Sequence, residues 1–261
     1  MKNFVENHAY APVIPVIDKI FEIMSEYQHI EVYATKDLGN MLVLDGAVQT
    51  TEKDEFIYHE SMAMPAIALS ENAKKILIIG GGDGGVAKEL LRADKNMSIE
   101  IVDIDRAVPE TSRRFLPTLA SALDKVKITT ENGLKFVRES SEKRDIIIVD
   151  STDPTPMAEG LFSKEFYRGA KELCDVFVAQ TESPIANRDV HVKAVKNMED
   201  VFEHVYTYYA CIPTYPGALF SFTLGMKEKI GRIRDIPVKT RYYSKDLFLA
   251  SMKDFSKWIM G

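Results

Sequence analysis

Five segments of this chain carry acids or amides directly after short apolar runs, and together they could hold cationic and nucleoside groups at one rim. Asp83 lies inside the glycine turn Gly80-Gly81-Gly82-Asp83-Gly84-Gly85, behind the apolar run 76–79. Asp103 ends the run 99–102. Glu131-Asn132-Gly133 follows 126–129, Asp150-Ser151-Thr152-Asp153 follows 146–149, and Gln180-Thr181-Glu182 follows 176–179. A strand, a glycine turn and a helix in succession present backbone N–H groups and a helix N-terminus to a ligand. Gly80, Gly82 and Gly85 satisfy G-x-G-x-x-G. A dinucleotide pyrophosphate against this turn would meet the Asp83 carboxylate and be repelled. A sulfonium or an amine would be attracted, and adenosyl-sulfonium compounds fit that description. The plainer reading is a turn shaped for helix–strand packing, with Asp83 as a solvated cap.

Asp103 stands about 20 residues past the turn, where an acid binds ribose hydroxyls in nucleotide folds. The Asn132 amide could read an adenine edge. A single acid at a strand end is most simply a helix N-cap. A whole rim of acids repels itself unless a cation is present, either a divalent metal or a polyamine. The five histidines, His8, His29, His59, His191 and His204, have no paired metal-ligand spacing. A magnesium site made of carboxylates alone stays open.

The elements that must position these groups are legible as alternation. Residues 1–55 are β-rich: 30–33 and 41–44 predict strands joined through the turn 37–40, and Asp45-Gly46 predicts a turn before the strand 47–51. Residues 54–69 predict a helix. Strands follow at 76–79, 99–102, 126–129, 146–149 and 176–179, with helices at 86–92, 135–139, 165–172 and 190–201. Late strands are expected at 205–210 and 220–224. Such alternation predicts a doubly wound parallel sheet, with ligands beyond the carboxyl ends of its strands. The fold class is α/β, with residues 1–55 as a small N-terminal β-domain and 56–261 as the catalytic domain. The basic stretch 227–241 predicts a solvated connection, and Met62 and Met64 predict core.

The chain has 261 residues, 46% hydrophobic and 28% charged, with a net charge of −6. That balance disfavours nucleic acid or anionic membrane as partners. Cys174 and Cys211 lack C-x-x-C spacing, so neither a disulfide framework nor a zinc site is expected, and a cytoplasmic location is the default. The first ten residues hold no apolar signal core. No run approaches the roughly 18 apolar residues of a membrane span.

From Tyr27 to Thr223 the residues resemble the polyamine aminopropyltransferases, the spermidine synthase family. The resemblance rests on Tyr27-Gln28, LVLDGAVQTTEKDEFIYHE (42–60), ILIIGGGDGG (76–85), DIIIVDSTDP (145–154), QTESP (180–184) and IPTYP (212–216). It implies a Rossmann-like, methyltransferase-type domain behind the β-domain, with the active site between them, and a homodimer or homotetramer. The implied reaction moves the aminopropyl group of decarboxylated S-adenosylmethionine, a co-substrate, to putrescine, giving spermidine and methylthioadenosine. No metal or tightly bound cofactor is expected. By resemblance Asp103 holds the ribose, Asn132 the adenine amino group, and Gln28 and Asp83 the aminopropyl arm. The same resemblance makes Asp150 the base for the attacking amine. Tyr58 and Tyr215 orient that amine, Asp153 and Gln180 line its cleft, and His59 lies beside it.

The sequence departs from the family pattern at Met64 and Phe248, where relatives often carry histidine. It departs also at Thr155-Pro156-Met157-Ala158, where Gly-Pro-Ala is usual, and at Gly217-Ala218-Leu219-Phe220, where many members read Ser-Gly-x-Trp. These changes leave the acceptor open among putrescine, agmatine, cadaverine and a longer polyamine. A methyltransferase of the same fold and a non-catalytic polyamine-binding protein are the competing readings. Asp83 and Asp150 speak against the first, and Tyr58, Asp150 and Tyr215 against the second.

Overall fold

Five antiparallel strands lead the chain and pair in sequence order: β1 (Lys2–Val5), β2 (Val13–Met24), β3 (His29–Thr35), β4 (Asn40–Leu44) and β5 (Ala47–Thr51). Residues 2–152 and 158–252 are described in this computed structural model. Asp45 (φ +50°) and Gly46 (φ +83°) close the β4–β5 hairpin, the paired left-handed conformation for which Asp-Gly is favoured. Strands β1 and β2 are additions to the predicted set. The face of this sheet carrying Ile30, Val32, Leu42 and Leu44 packs on Val108, Leu116 and Leu119 of the second sheet's flank. Strand β2 leaves Val13, Ile17, Ile23 and Met24 exposed.

Helix α1 (Glu55–Leu69) comes next and is buried on nearly all sides. Then strands and helices alternate: β6 (Lys75–Gly80), α2 (Gly85–Ala93), β7 (Ser98–Asp103), α3 (Ala107–Phe115), β8 (Lys127–Thr130), α4 (Gly133–Glu139), β9 (Arg144–Asp150), α5 (Lys164–Leu173), β10 (Cys174–Gln180) and α6 (Arg188–Glu199). Strands β11 (His204–Cys211) and β12 (Leu219–Met226) and helix α7 (Lys245–Ser251) follow. The seven strands run β11-β12-β10-β9-β6-β7-β8 across the sheet. Five are parallel, as predicted, but β12 pairs antiparallel with both β10 and β11. The β11–β12 connection is too short for the dozen or more residues that a parallel crossover needs.

Alternation along the central strands sorts the two cores. Ile76 and Ile78 of β6 face Met62, Ala66 and Leu90 of α1 and α2. Leu77 and Ile79 face the other side, with Val137, Phe166, Tyr167 and Met198 of α4, α5 and α6. Strand order reverses direction between β6 and β9, the switch point where open α/β sheets bind ligands. Met62 and Met64 are fully buried. The stretch 227–241 is irregular, as expected of a connection, but it is not solvated along its length. Ile233 is buried, the Arg234 N–H donates to the Ala68 carbonyl (2.9 Å), and its guanidinium donates to Ile67 (2.8 Å). Glu60, fully buried in α1, accepts the backbone N–H groups of Arg241, Tyr242 and Tyr243. The segment is therefore a strap tied across α1.

Candidate active site

The glycine turn after β6 is laced to the end of β9. The Gly81 N–H donates to the Asp150 carbonyl (2.8 Å). Gly80 has φ +79°, and a Cβ there would lie 2.1 Å from that same carbonyl oxygen. A Cβ on Gly82 would lie 2.5 Å from Asp103 Oδ2. Glycine thus lets three strand ends, those of β6, β7 and β9, bring their carboxylates over one turn.

Asp83 is held at the far side of the turn. Its Oδ1 accepts the Gly85 N–H (2.8 Å), and its Oδ2 lies 3.3 Å from His59 Nε2. His59 Nδ1 meets Glu55 Oε2 at 2.8 Å, and Glu55 Oε1 meets Lys88 Nζ at 2.6 Å. Burial opposes a charged imidazole, but Asp83 and Glu55 outweigh it and raise His59 to about 10. Burial would likewise raise Glu55, yet the His59 and Lys88 charges and hydrogen bonds lower it to about 2. Asp83 follows the same logic: burial pushes it up, but the His59 charge and the Gly85 N–H carry it below the ordinary carboxylate range.

Asp150 has a different neighbourhood. The Tyr58 hydroxyl donates to its Oδ1 at 2.7 Å. Burial raises Asp150 to about 7 and the Asp83 charge adds to that, while His59 and the Tyr58 hydroxyl offset part of it. The Tyr58 hydroxyl is itself pushed well above its usual value, by burial and by Asp150. Its ring packs against Tyr215, Phe220 and Phe222. The Tyr215 hydroxyl donates to the Gln49 carbonyl of β5, tying the two sheets together.

Along β7, burial raises Asp103 to about 6 even though it accepts the Asp105 N–H. Gln28, at the mouth of β3, donates through Nε2 to Asp105 Oδ2 (2.9 Å). Asn132 caps α4, its side chain accepting the Lys135 N–H at 3.1 Å. Gln180 donates to the Ser151 carbonyl and accepts the Glu182 N–H. Glu182 is fully buried at φ +67°, with the Asn187 amide on its Oε2 (2.8 Å). That backbone conformation is costly for a residue with a side chain and collects at functional sites.

These groups surround one cavity of about 500 Å³, roofed by residues of the first sheet such as Leu42, Leu44 and Gln49. Gln28, Tyr58, Gly80, Gly82, Asp83, Asp103, Asn132, Asp150, Gln180 and Tyr215 all line it. His59, expected beside the ligand, stands one layer back: its side chain is 3% exposed and meets Asp83 instead of the cavity. Asp153, with Thr155, Pro156 and Met157, lies outside the described residues.

Among the described residues, two groups place ligating atoms within 4.8 Å of one another: His59, Asp83 and Asp150, and Glu22, His29 and Glu31. Lys19 already sits on Glu31 (2.7 Å) and Glu22 (3.1 Å) in the second group. In the first, a His59 proton faces Asp83 where a metal would bond. The supporting residues Lys88 and Asp105 were not singled out as site residues from the sequence. Asp105 had a signal, being the second acid of Asp103-Ile104-Asp105. Lys88 had the spacing from Gly85 that puts it on the same side of α2.

The family profile described as "Spermine/spermidine synthase domain" matches residues 55–233. The one described as "Spermidine synthase tetramerisation domain" matches residues 4–52. The polyamine aminopropyltransferase of Caldicellulosiruptor bescii is 41% identical over 242 residues, 88% of this chain and 86% of that protein. That of Bacillus subtilis (strain 168) is 39% identical over 236 residues, 87% and 86% of the two chains. The crystal structure of a spermidine synthase in complex with the transition-state analogue AdoDATO superposes with a TM-score of 0.93 at 32% identity. The match covers 100% of this chain and 95% of that one.

Proposed function

This chain belongs to the spermine/spermidine synthase family, and on that premise we propose that its cleft moves the aminopropyl group of decarboxylated S-adenosylmethionine to putrescine. It is a transferase, a polyamine aminopropyltransferase. The amine nitrogen attacks the methylene next to the sulfonium, the C–S bond breaks with its electrons going to sulfur, and methylthioadenosine leaves. The nitrogen loses one proton as the new C–N bond forms.

One observation carries the assignment of roles: a carboxylate held ionised, Asp83, and one that titrates near neutrality, Asp150, share a single cavity. Asp83 is the fixed negative charge for the donor's cationic arm, which Gln28 contacts as well. Asp103 takes the ribose hydroxyls and Asn132 the adenine edge. Asp150 accepts the proton of the attacking amine; a base whose pKa lies near the working pH is the efficient kind. Tyr58 and Tyr215 orient that amine, and Gln180 lines its side of the cleft. Holding the nitrogen in line with the methylene supplies much of the rate. Residues 1–55 form the β-domain that roofs the site and 56–261 the catalytic domain, in an enzyme of the cytoplasm.

The assembly is a homo-oligomer, a dimer or tetramer built through the N-terminal sheet. The exposed apolar residues of β2, with Ile17 65% and Met24 69% exposed, support that use, since exposed apolar surface is what an interface covers. No helix among the described residues is long and apolar enough to cross a membrane.

The test is methylthioadenosine release from decarboxylated S-adenosylmethionine across putrescine, cadaverine, agmatine and spermidine. Release with putrescine ahead is the expected result. Release led by another amine replaces the acceptor, and methyl transfer from intact S-adenosylmethionine without aminopropyl transfer replaces the reaction.

A further inference from the structure

Behind Asp83, which lines the cavity, stand three buried charged groups that do not. Lys88, Glu55, His59 and Asp83 alternate in sign along one buried line, with side chains 12, 4, 3 and 14% exposed. The contacts run 2.6 Å from Lys88 Nζ to Glu55 Oε1, 2.8 Å from Glu55 Oε2 to His59 Nδ1, and 3.3 Å from His59 Nε2 to Asp83 Oδ2. Glu55 and His59 are one turn apart on α1, so their meeting is built into the helix. Helix α2 supplies the rest. Lys88 reaches across to Glu55, and Gly85 leaves room for the ring, because a Cβ there would stand 2.2 Å from His59 Cε1.

We propose that Glu55 and Lys88 are positioning residues of the transfer reaction, locking the His59 ring so that its Nε2–H holds the Asp83 carboxylate toward the cationic arm of the donor. The inference rests on the aminopropyl-transfer reading above. An imidazole orients by the partner of its other nitrogen. With Glu55 on Nδ1, the proton on Nε2 has one direction to point. Without Glu55, the ring would have Lys88 nearby and no anion on that side. It would lose its charge and release Asp83, which would then sit buried with a weaker counter-charge. The groups facing His59 are Glu55 and the edge of Tyr58 from α1, Asp83 from the glycine turn, and Asp150 from β9. Behind Glu55 stand Lys88, itself 3.3 Å from Glu89 Oε1, and Arg241 Nη1, 3.8 Å from Glu55 Oε1. Arg241 is half exposed over the Phe56 ring, so Lys88 is the buried cation that fixes Glu55.

The test uses the full chain carrying Glu55→Gln or Lys88→Gln. Side-chain nitrogen NMR reads the His59 ring, assigned by its loss in His59→Asn, and methylthioadenosine release reads the kinetics. In the parent, both ring nitrogens stay protonated from pH 6 to pH 9. In Glu55→Gln the ring loses a proton within that window. The KM for the donor rises about tenfold or more, while the KM for the amine moves less than about threefold. Lys88→Gln shifts both readouts the same way by a smaller amount, and it decides the matter if Glu55→Gln does not fold. A donor KM within twofold of the parent in a folded variant, or a rise with the His59 signals unchanged, overturns the proposal. If the parent releases no methylthioadenosine, the reaction assignment fails, and the ring signals alone still judge the positioning.

Discussion

Asp83 and Asp150 face the same cavity with carboxylate oxygens within 4.8 Å, yet the protein treats them oppositely. Asp83 has a cationic imidazole and a backbone N–H on its two oxygens, and it stays below the ordinary carboxylate range. Asp150 has one neutral hydroxyl, deep burial and Asp83 for a neighbour, and it rises to about 7. Two like acids placed side by side thereby become a held charge and a group that titrates near neutrality, the pair that the proposed reaction would use as anchor and proton acceptor. Environments that drive neighbouring pKa values apart are how acid and base roles are assigned on one scaffold. The difference is made by α1: Tyr58 serves one acid and His59, the next residue, serves the other.

The sharpest way to break this pairing is Asp150→Asn. Turnover should fall about 10²–10⁴-fold, the range of a positioned general base, while donor binding measured by calorimetry stays within a few-fold of the parent. Equal losses in both would assign Asp150 to binding. Asp83→Asn comes next. Donor affinity should fall on the order of 10²-fold, since a buried charge partner is removed, and turnover at saturating donor should suffer less.

The same variant sharpens the comparison through pH. Asp150 accepts a proton only when ionised, so kcat/KM should fall as pH drops through about 7, tenfold per unit once below it. Asp83 is one of the charges that raise Asp150, so in Asp83→Asn this acid limb should move to lower pH. A limb that stays in place would mean that the two acids do not sense each other.

Smaller effects are expected from the supports. Gly85→Ala would drive a methyl into the His59 ring, 2.2–2.4 Å from three of its atoms. Overpacking of this kind costs about 1–3 kcal/mol, readable as a lower Tm together with a raised donor KM. Asn132→Asp keeps a side-chain acceptor for the Lys135 N–H at the start of α4 and should leave stability within about 0.5 kcal/mol. It removes the amide, so donor KM should rise a few-fold.

The split between the acids was not legible in the sequence, although the acids themselves were. Alternation located the five parallel strands, and strand ends located Asp83, Asp103 and Asp150. Their charge states depend on partners far along the chain: Tyr58 lies 92 residues from Asp150. Strand β2 escaped for a different reason. Its run VIPVIDKIFEIM does not alternate, because bulges between Val16 and Asp18 and between Lys19 and Phe21 reset the register, and exposed positions such as Ile17 and Met24 are apolar too. Helix α3 carries Pro109, buried in its first turn, where proline is tolerated although it reads as a breaker. The strap over α1 looked solvated because its basic residues hide what fixes it, the Glu60 carboxylate and the helix-end carbonyls that Arg234 reaches.

The most direct measurement is a carboxyl carbon NMR titration of the ligand-free protein, with Asp83→Asn and Asp150→Asn as assignments. The expected result is one aspartate resonance, absent in Asp150→Asn, that titrates near pH 7, and another, absent in Asp83→Asn, that stays ionised from pH 5 to pH 9. Two resonances titrating together below pH 5, or the order reversed, would contradict the division between fixed charge and proton acceptor.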